Sequence, residues 1–241
     1  MAGHSKWSQI KRKKALLDGK RSQAFTKLIK EISVAARVGG GDPDGNPRLR
    51  TLLEKARAIN MPTENAQRAI KKGTGELPGV SYEQHIYEGY GPHGTAIIIE
   101  CLTDNKNRSV AELRHYFNKY GGSLADGGAV AWMFKHLGVI KLNKAGHEKV
   151  TEDMLYEILL DHDLVDLKTN DEQFEIFLPI NHLEEAKQLL NKEGISVDSA
   201  ELEFVADTEL ELDEDKAEEA LNFLDGLEDL EDVQNIYTNL G

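Results

Sequence analysis

The chain has 241 residues, 40% of them hydrophobic and 29% charged, a length that calls for two or three domains of ordinary size. Its single cysteine, Cys101, excludes an internal disulfide and any zinc site built from a cysteine cluster. The net charge of −13 would disfavour a polyanionic partner if it were evenly spread. Instead, the residues through Gly75 carry +11, those from Glu76 to Ile140 carry −2, and those from Lys141 onward carry −22.

Residues 1–20 read as a basic arm, with Lys6 beside Trp7 and a run of Lys11, Arg12, Lys13 and Lys14 that occupies every azimuth. The spacing predicts a helix from Gln23 to Val38. Phe25, Leu28, Ile29, Ile32 and Ala36 line its apolar side, and Lys27, Lys30 and Arg37 fall within roughly 80° of each other on the opposite side. Residues 39–45 are a Gly/Asp/Pro break. Asn46 is expected to cap a helix opened by Pro47 and patterned by Leu49, Leu52, Leu53, Ala56 and Ile59. Thr63 is expected to cap a short helix carrying Ala66, Ala69 and Ile70, with Lys71 and Lys72 in its last turn and Gly73 as its left-handed stop. Residues 1–75 thus form a basic helical domain, and residues 73–80 read as a linker.

Beyond the linker the period shortens. Strands are predicted at 85–90 and 95–102, joined by Gly91-Pro92-His93-Gly94, then a helix from Arg108 to Tyr120 preceded by Asn107. A glycine-rich loop follows, then apolar segments at 129–134 and 139–142. Next come a helix capped by Thr151, a hairpin from segments 164–168 and 173–178, a helix capped by Asn181 and a strand at 199–206. That block has the ferredoxin-like order β-α-β-β-α-β. An acidic strand near 209–212, a helix over 215–228 and a strand over 233–237 look like the missing half of the unit begun at residue 83. The expected class is α+β and multidomain: an N-terminal helical bundle, a discontinuous α+β domain (80–130 with 205–241) and an inserted ferredoxin-like domain (131–204).

Catalytic patterns do not emerge. The eight histidines are scattered without a His-x3-His pair, so the spacing predicts no metal site and no cofactor. The loop 121–128 lacks Gly-Lys-Ser/Thr and reads as a turn, not a phosphate cradle. Cys101 sits in an apolar run and reads as core. No stretch reaches the roughly 18 apolar residues of a membrane span, and residues 1–20 lack the apolar run of a secretory signal. A cytoplasmic, monomeric, non-enzymatic protein with no membrane partner is expected.

The nucleic-acid reading is stronger. The expected contacts are Lys6, Trp7, Lys11, Arg12, Lys13, Lys14, Lys20, Arg21, Lys27, Lys30, Arg48 and Arg50, with Trp7 stacking on a base and the cations neutralising phosphates. Arg57, Arg68, Lys71 and Lys72 extend the positive surface. No helix-turn-helix, zinc-finger or RRM signature is present, which favours contact led by backbone and shape, to DNA or to structured RNA. The acidic remainder is expected to orient the protein and to meet basic ribosomal or transcription proteins.

Several segments carry a resemblance. Met1-Ala2-Gly3-His4-Ser5-Lys6-Trp7, Phe25-Thr26-Lys27-Leu28, Gly40-Gly41-Asp42-Pro43 and Asn46-Pro47-Arg48-Leu49-Arg50 resemble the YebC/PmpR family. So do Asn60-Met61-Pro62, Arg68-Ala69-Ile70, Tyr87-Glu88-Gly89-Tyr90-Gly91-Pro92, Thr103-Asp104-Asn105 and Asp232-Val233-Gln234 with Tyr237. The resemblance spans essentially the whole chain. It implies a three-domain, non-enzymatic cytoplasmic regulator: bacterial members are described as transcriptional regulators that bind DNA, and a mitochondrial relative is a translational activator. Bacterial members are also linked to ribosomes at proline-rich nascent chains. His93, and the run from Asp126 to Ala129, depart from the family's usual residues.

Overall fold

In the computed structural model, which describes residues 18–241 with side chains from Ser22 onward, helix α1 covers Asp18–Gly39. It includes the five residues before the predicted Gln23 and ends one residue after the predicted Val38. Leu28, Ile32, Ala35 and Ala36 recur at helical spacing and are buried, Ile32 completely. They meet helix α2 (Pro47–Ala58) through Leu49, Leu52 and Ala56, and helix α3 (Thr63–Gly73) through Ala66 and Ala69. Asn46 explains the sharp entry into α2. Its Oδ1 accepts from the Leu49 N–H at 3.1 Å, while its Nδ2 donates to the carbonyls of Ala35 (2.9 Å) and Gly40 (2.8 Å). One side chain therefore caps α2 and closes the preceding loop onto α1.

Two expected caps move. Pro62 occupies the cap position of α3 and Thr63 makes no side-chain capping bond. Gly73 lies inside α3, and the left-handed residue after it is Gly75. Gly73 serves packing instead: a Cβ there would run into the Ser33 carbonyl oxygen and the Ala36 methyl. The bundle closes because α3 crosses α1 at a point with no side chain.

Strands β1 (Glu83–Tyr90) and β2 (Ala96–Thr103) form an antiparallel hairpin through residues 91–95, with His93 at φ 60. Asn105, not Asn107, caps helix α4 (Lys106–Lys119), accepting from Arg108 N at 3.1 Å. The glycine-rich loop holds a short strand, β3 (Ser123–Ala125), paired to β1. Helix α7 (Glu214–Glu228) and strand β8 (Val233–Thr238) complete a four-stranded antiparallel sheet in the order β3-β1-β2-β8. Both helices pack on it: Ile97, Ile99 and Cys101 of β2 meet Leu113 and Phe117 of α4 and Phe223, Leu224 and Leu227 of α7. The predicted strand near 209–212 is reduced to a single bridge, Leu210 to Leu240.

The second sheet lies between Met133 and Asp207, a compact unit separate from the one formed by the chain through Trp132 and Thr208–Gly241. Strand β4 runs unbroken over Phe134–Asn143, where the sequence suggested two apolar segments. Helix α5 (Glu152–Ile158), strands β5 (Asp166–Thr169) and β6 (Gln173–Leu178), helix α6 (Leu183–Lys192) and strand β7 (Ser199–Ala206) follow. The strand order is β5-β6-β4-β7, antiparallel throughout. Thr151 caps α5 by accepting from Met154 N, whereas His182, not Asn181, stands at the start of α6. Leu155, Leu159, Ala186 and Leu190 pack on Ile140, Leu142, Ile176 and Leu178. Among the described residues no helix is long and apolar enough to cross a membrane.

Candidate nucleic-acid interface

Of the predicted stripe on α1 only Arg37 is exposed; Lys27 and Lys30 face another part of the protein. Gln23, Lys27 and Lys30 fall at i, i+4 and i+7, on one face of the helix. That face meets the C-terminal end of α7 and the loop after it. Lys27 Nζ donates to the Glu228 carbonyl at 2.8 Å, Gln23 Nε2 to the Asp229 carbonyl at 3.3 Å, and Lys30 Nζ to the Glu231 carbonyl at 3.1 Å. The last carbonyls of a helix lack intrahelical partners and carry its negative end, so an ammonium group is well matched to them.

Lys30 goes further. It is 3% exposed, and its ammonium lies 2.8 Å from Asp232 Oδ1. Asp232 is itself 3% exposed and also accepts from Thr103 Oγ1 (3.0 Å), Ser109 Oγ (2.7 Å) and Arg108 (3.0 Å). Burial by itself would raise the Asp232 carboxyl. Hydrogen bonds from Lys30, Ser109 and Arg108 outweigh it and bring the group down to about 2. Four elements converge on this carboxylate: α1, the end of β2, the first turn of α4 and the residue before β8. Lys30 is therefore a fastening residue, and its expected role as a phosphate contact is corrected. Lys27 is likewise turned to a protein partner. Helical periodicity identifies a polar stripe but cannot tell water from a neighbouring helix terminus.

The other expected contacts divide differently. Lys6, Trp7, Lys11, Arg12, Lys13 and Lys14 lie outside the described residues. Lys20 and Arg21 fall in the first turn of α1, and their side chains lie outside the description. Arg50 is exposed but folds back on its own loop, with Nε 3.1 Å from the Pro43 carbonyl and NH2 2.9 Å from that of Asp44. Arg48 is exposed with no hydrogen bond or ion pair to another described residue.

Among the described residues of the helical module, the cations open to an anion lie on the outer side of α2 and α3. Arg57, Arg68, Lys71 and Lys72 are exposed there, like Arg48, and carry no ion pair among the described residues. At 100° per residue, Arg68, Lys71 and Lys72 span about 100° on the side of α3 away from Ala66 and Ala69. An open cleft beside them, lined by Ser33, Arg37, Lys72, Gly79, Ser81 and Tyr82, adds a further guanidinium. Arg37 there donates to Ser81 Oγ and to the Tyr82 carbonyl. Such a surface can neutralise several phosphates of a polyanion without reading bases.

The glycine-rich loop is a different matter. Its amides at Gly128, Val130 and Ala131 donate to the Glu88 carboxylate at 2.7, 2.7 and 2.8 Å. Burial pushes that carboxyl up, and the three N–H groups together bring it below its usual range. The amides that would cradle a phosphate are already satisfied internally. Cys101 is 1% exposed, and burial pushes its thiol up to about 12, so it is a core residue with no thiolate to offer. What the sequence reading missed is the role of Asp232: it stands in the Asp232-Val233-Gln234 segment of the family resemblance, but no local pattern shows that it is the buried partner of Lys30.

The described residues thus present a helical module with an outward cationic side, fastened to an antiparallel α+β body. The profile described as "TACO1/YebC protein N-terminal domain" matches residues 5–76, and "TACO1/YebC second and third domain" matches residues 82–240. The chain belongs to the TACO1/YebC family. It is 52% identical over 241 residues to a "Probable transcriptional regulatory protein" of Prosthecochloris aestuarii, covering 100% of this chain and 95% of that one. A protein of the same description from Desulfosudis oleivorans is 49% identical over 239 residues, covering 99% and 96%. Among solved structures, a conserved hypothetical protein from Aquifex aeolicus superposes with a TM-score of 0.82 at 39% identity, covering 94% of this chain and 93% of that one.

Proposed function

We propose that this protein is a non-enzymatic regulator of gene expression that holds nucleic acid by its phosphate backbone, through the basic helical module. The observation that supports the reading is the set of exposed cations on α2 and α3, Arg48, Arg57, Arg68, Lys71 and Lys72, without ion-pair partners among the described residues. They belong to a segment of net charge +11 in a chain whose last 101 residues carry −22. Lys6, Trp7, Lys11 to Lys14, Lys20 and Arg21 extend the same surface in this proposal, while Lys27 and Lys30 leave it. We read residues 1–75 as the binding domain, carried by a discontinuous α+β domain into which a ferredoxin-like domain is inserted. The protein acts in the cytoplasm as a monomer.

Relatives described as transcriptional regulators favour DNA as the target. A second reading, a translation factor on ribosomal RNA, is favoured by the lack of a base-reading helix pair among the described residues. Sucrose-gradient fractionation of lysate, with and without DNase or RNase, separates them. Nuclease-sensitive migration with DNA supports the first reading and comigration with ribosomes the second. Migration with neither, at low salt, overturns the proposal.

A further inference from the structure

The inserted unit brings together two histidines and a carboxylate that lie 20 and 3 residues apart in the chain. His162 ends the short turn after α5, His182 stands at the start of α6, and Glu185 follows in the first turn of that helix. The Nδ1 atoms of both imidazoles are buried and have no hydrogen-bond partner. Both nonetheless face one atom: Glu185 Oε2 lies 3.8 Å from His162 Nδ1 and 3.9 Å from His182 Nδ1. The three ligand atoms lie within 4.8 Å of one another. Those separations are too long for hydrogen bonds and too polar to be packing.

They do suit a shared ion. Ligands about 2.0–2.1 Å from a tetrahedral zinc are about 3.4 Å from each other. Glu185 is within about half an ångström of that spacing from each imidazole, and the two imidazole nitrogens, within 4.8 Å of each other, reach it by a turn of the rings. The rings meet edge-on, with centroids 5.8 Å apart and planes at 70°, which leaves both Nδ1 lone pairs room to converge. The far side of His182 is provided for as well: its Nε2 lies 3.5 Å from Asp163 Oδ2. From there the carboxylate can accept from Nε2–H, the arrangement that leaves Nδ1 free to bind a metal. The positive N-terminal end of α6 works against a cation. Asp161, Asp163, Glu184 and Glu185, clustered in sequence around the two histidines, offset it.

We infer that His162, His182 and Glu185 form a binding site for a divalent transition ion of the zinc class, with Asp163 as the outer partner of His182. Two imidazoles and one carboxylate suit Zn2+ or Co2+ better than Mg2+ or Ca2+, which prefer oxygen ligands alone. The ion ties the turn after α5 to the start of α6, and its fourth position stays open to water or an anionic ligand. The inference is independent of the nucleic-acid reading, since it concerns the other compact unit.

The test is calorimetric titration of the full-length protein with Zn2+, together with Co2+ absorption spectroscopy. One equivalent should bind saturably, and Co2+ should develop the intense visible bands of a four-coordinate site. His182→Gln should weaken binding by about 100-fold and Asp163→Asn by about 10-fold, while His115→Gln leaves it unchanged. Asparagine tolerates the left-handed backbone at position 163 (φ 50), so that variant keeps the turn. Absence of saturable binding below about 100 µM overturns the assignment. So does Zn2+ affinity that His162→Gln and His182→Gln leave unchanged in variants with wild-type circular dichroism.

Discussion

Asp232 carries the densest set of polar contacts at the junction between the helical module and the first sheet. With its carboxyl drawn from 3.8 down to about 2, it contributes about 2 kcal/mol to stability above pH 4, by linkage. A depressed carboxyl stabilises above its unfolded value and loses that contribution as pH falls through the folded value. The loss is therefore expected between pH 4 and pH 2. Asp232→Asn should lower unfolding free energy at pH 7 by about 2–4 kcal/mol, because Lys30 is left buried without its counter-charge. Urea denaturation at pH 7 and pH 3 checks both statements, and the variant should lose less on acidification than the parent. Gly73→Ala should cost about 1–3 kcal/mol, because the added methyl must displace α3 from the Ser33 carbonyl. Cys101 should resist a thiol reagent in the native protein and react fully in denaturant, since its thiol is both buried and protonated.

Elements were legible wherever one local force determined them. Asn46-Pro47 marked the start of α2, and Gly91-Pro92-His93-Gly94 between two strand-like segments marked the hairpin of β1 and β2, because caps and tight turns depend on adjacent residues. The misplaced features share another cause. Thr63, Asn107 and Asn181 are good capping residues, yet Pro62, Asn105 and His182 stand at those positions, since the register of each helix is set by the surface it packs on. Gly73 looked like a helix stop and is a crossing point. The stripe of Lys27 and Lys30 looked like a binding face and is a fastening face, because its partner, the end of α7, lies about 200 residues away in sequence. The same blindness hid His182 and Glu185: their spacing of three was visible, but His162 joins them only through the fold of the inserted unit. At this scale Lys27→Gln should leave nucleic-acid affinity within about twofold while lowering stability by about 1.5–3 kcal/mol, the worth of a charge-assisted hydrogen bond. Anisotropy titration and thermal unfolding of one preparation separate the two effects.

For the whole molecule, the division of charge survives in part. On α1 it is cancelled: Asp232 and Glu231, from the acidic third, reach Lys30, and the end of α7 meets Lys27. On α2 and α3 it persists in Arg48, Arg57, Arg68, Lys71 and Lys72, with which no described carboxylate forms an ion pair. In the proposed reading a polyanion approaches over these exposed cations, and the surplus of acid elsewhere in the chain disfavours other approaches. The most direct check is the salt dependence of binding to a nucleic-acid duplex, measured for the full-length protein and for an Arg68→Gln, Lys71→Gln, Lys72→Gln triple variant. Each phosphate contact removed should reduce the slope of log affinity against log salt by about 0.7–0.9, so the triple variant should flatten it by about 2–3. Affinity should fall alike on unrelated sequences. A slope that does not change would contradict the placement of the interface on α3.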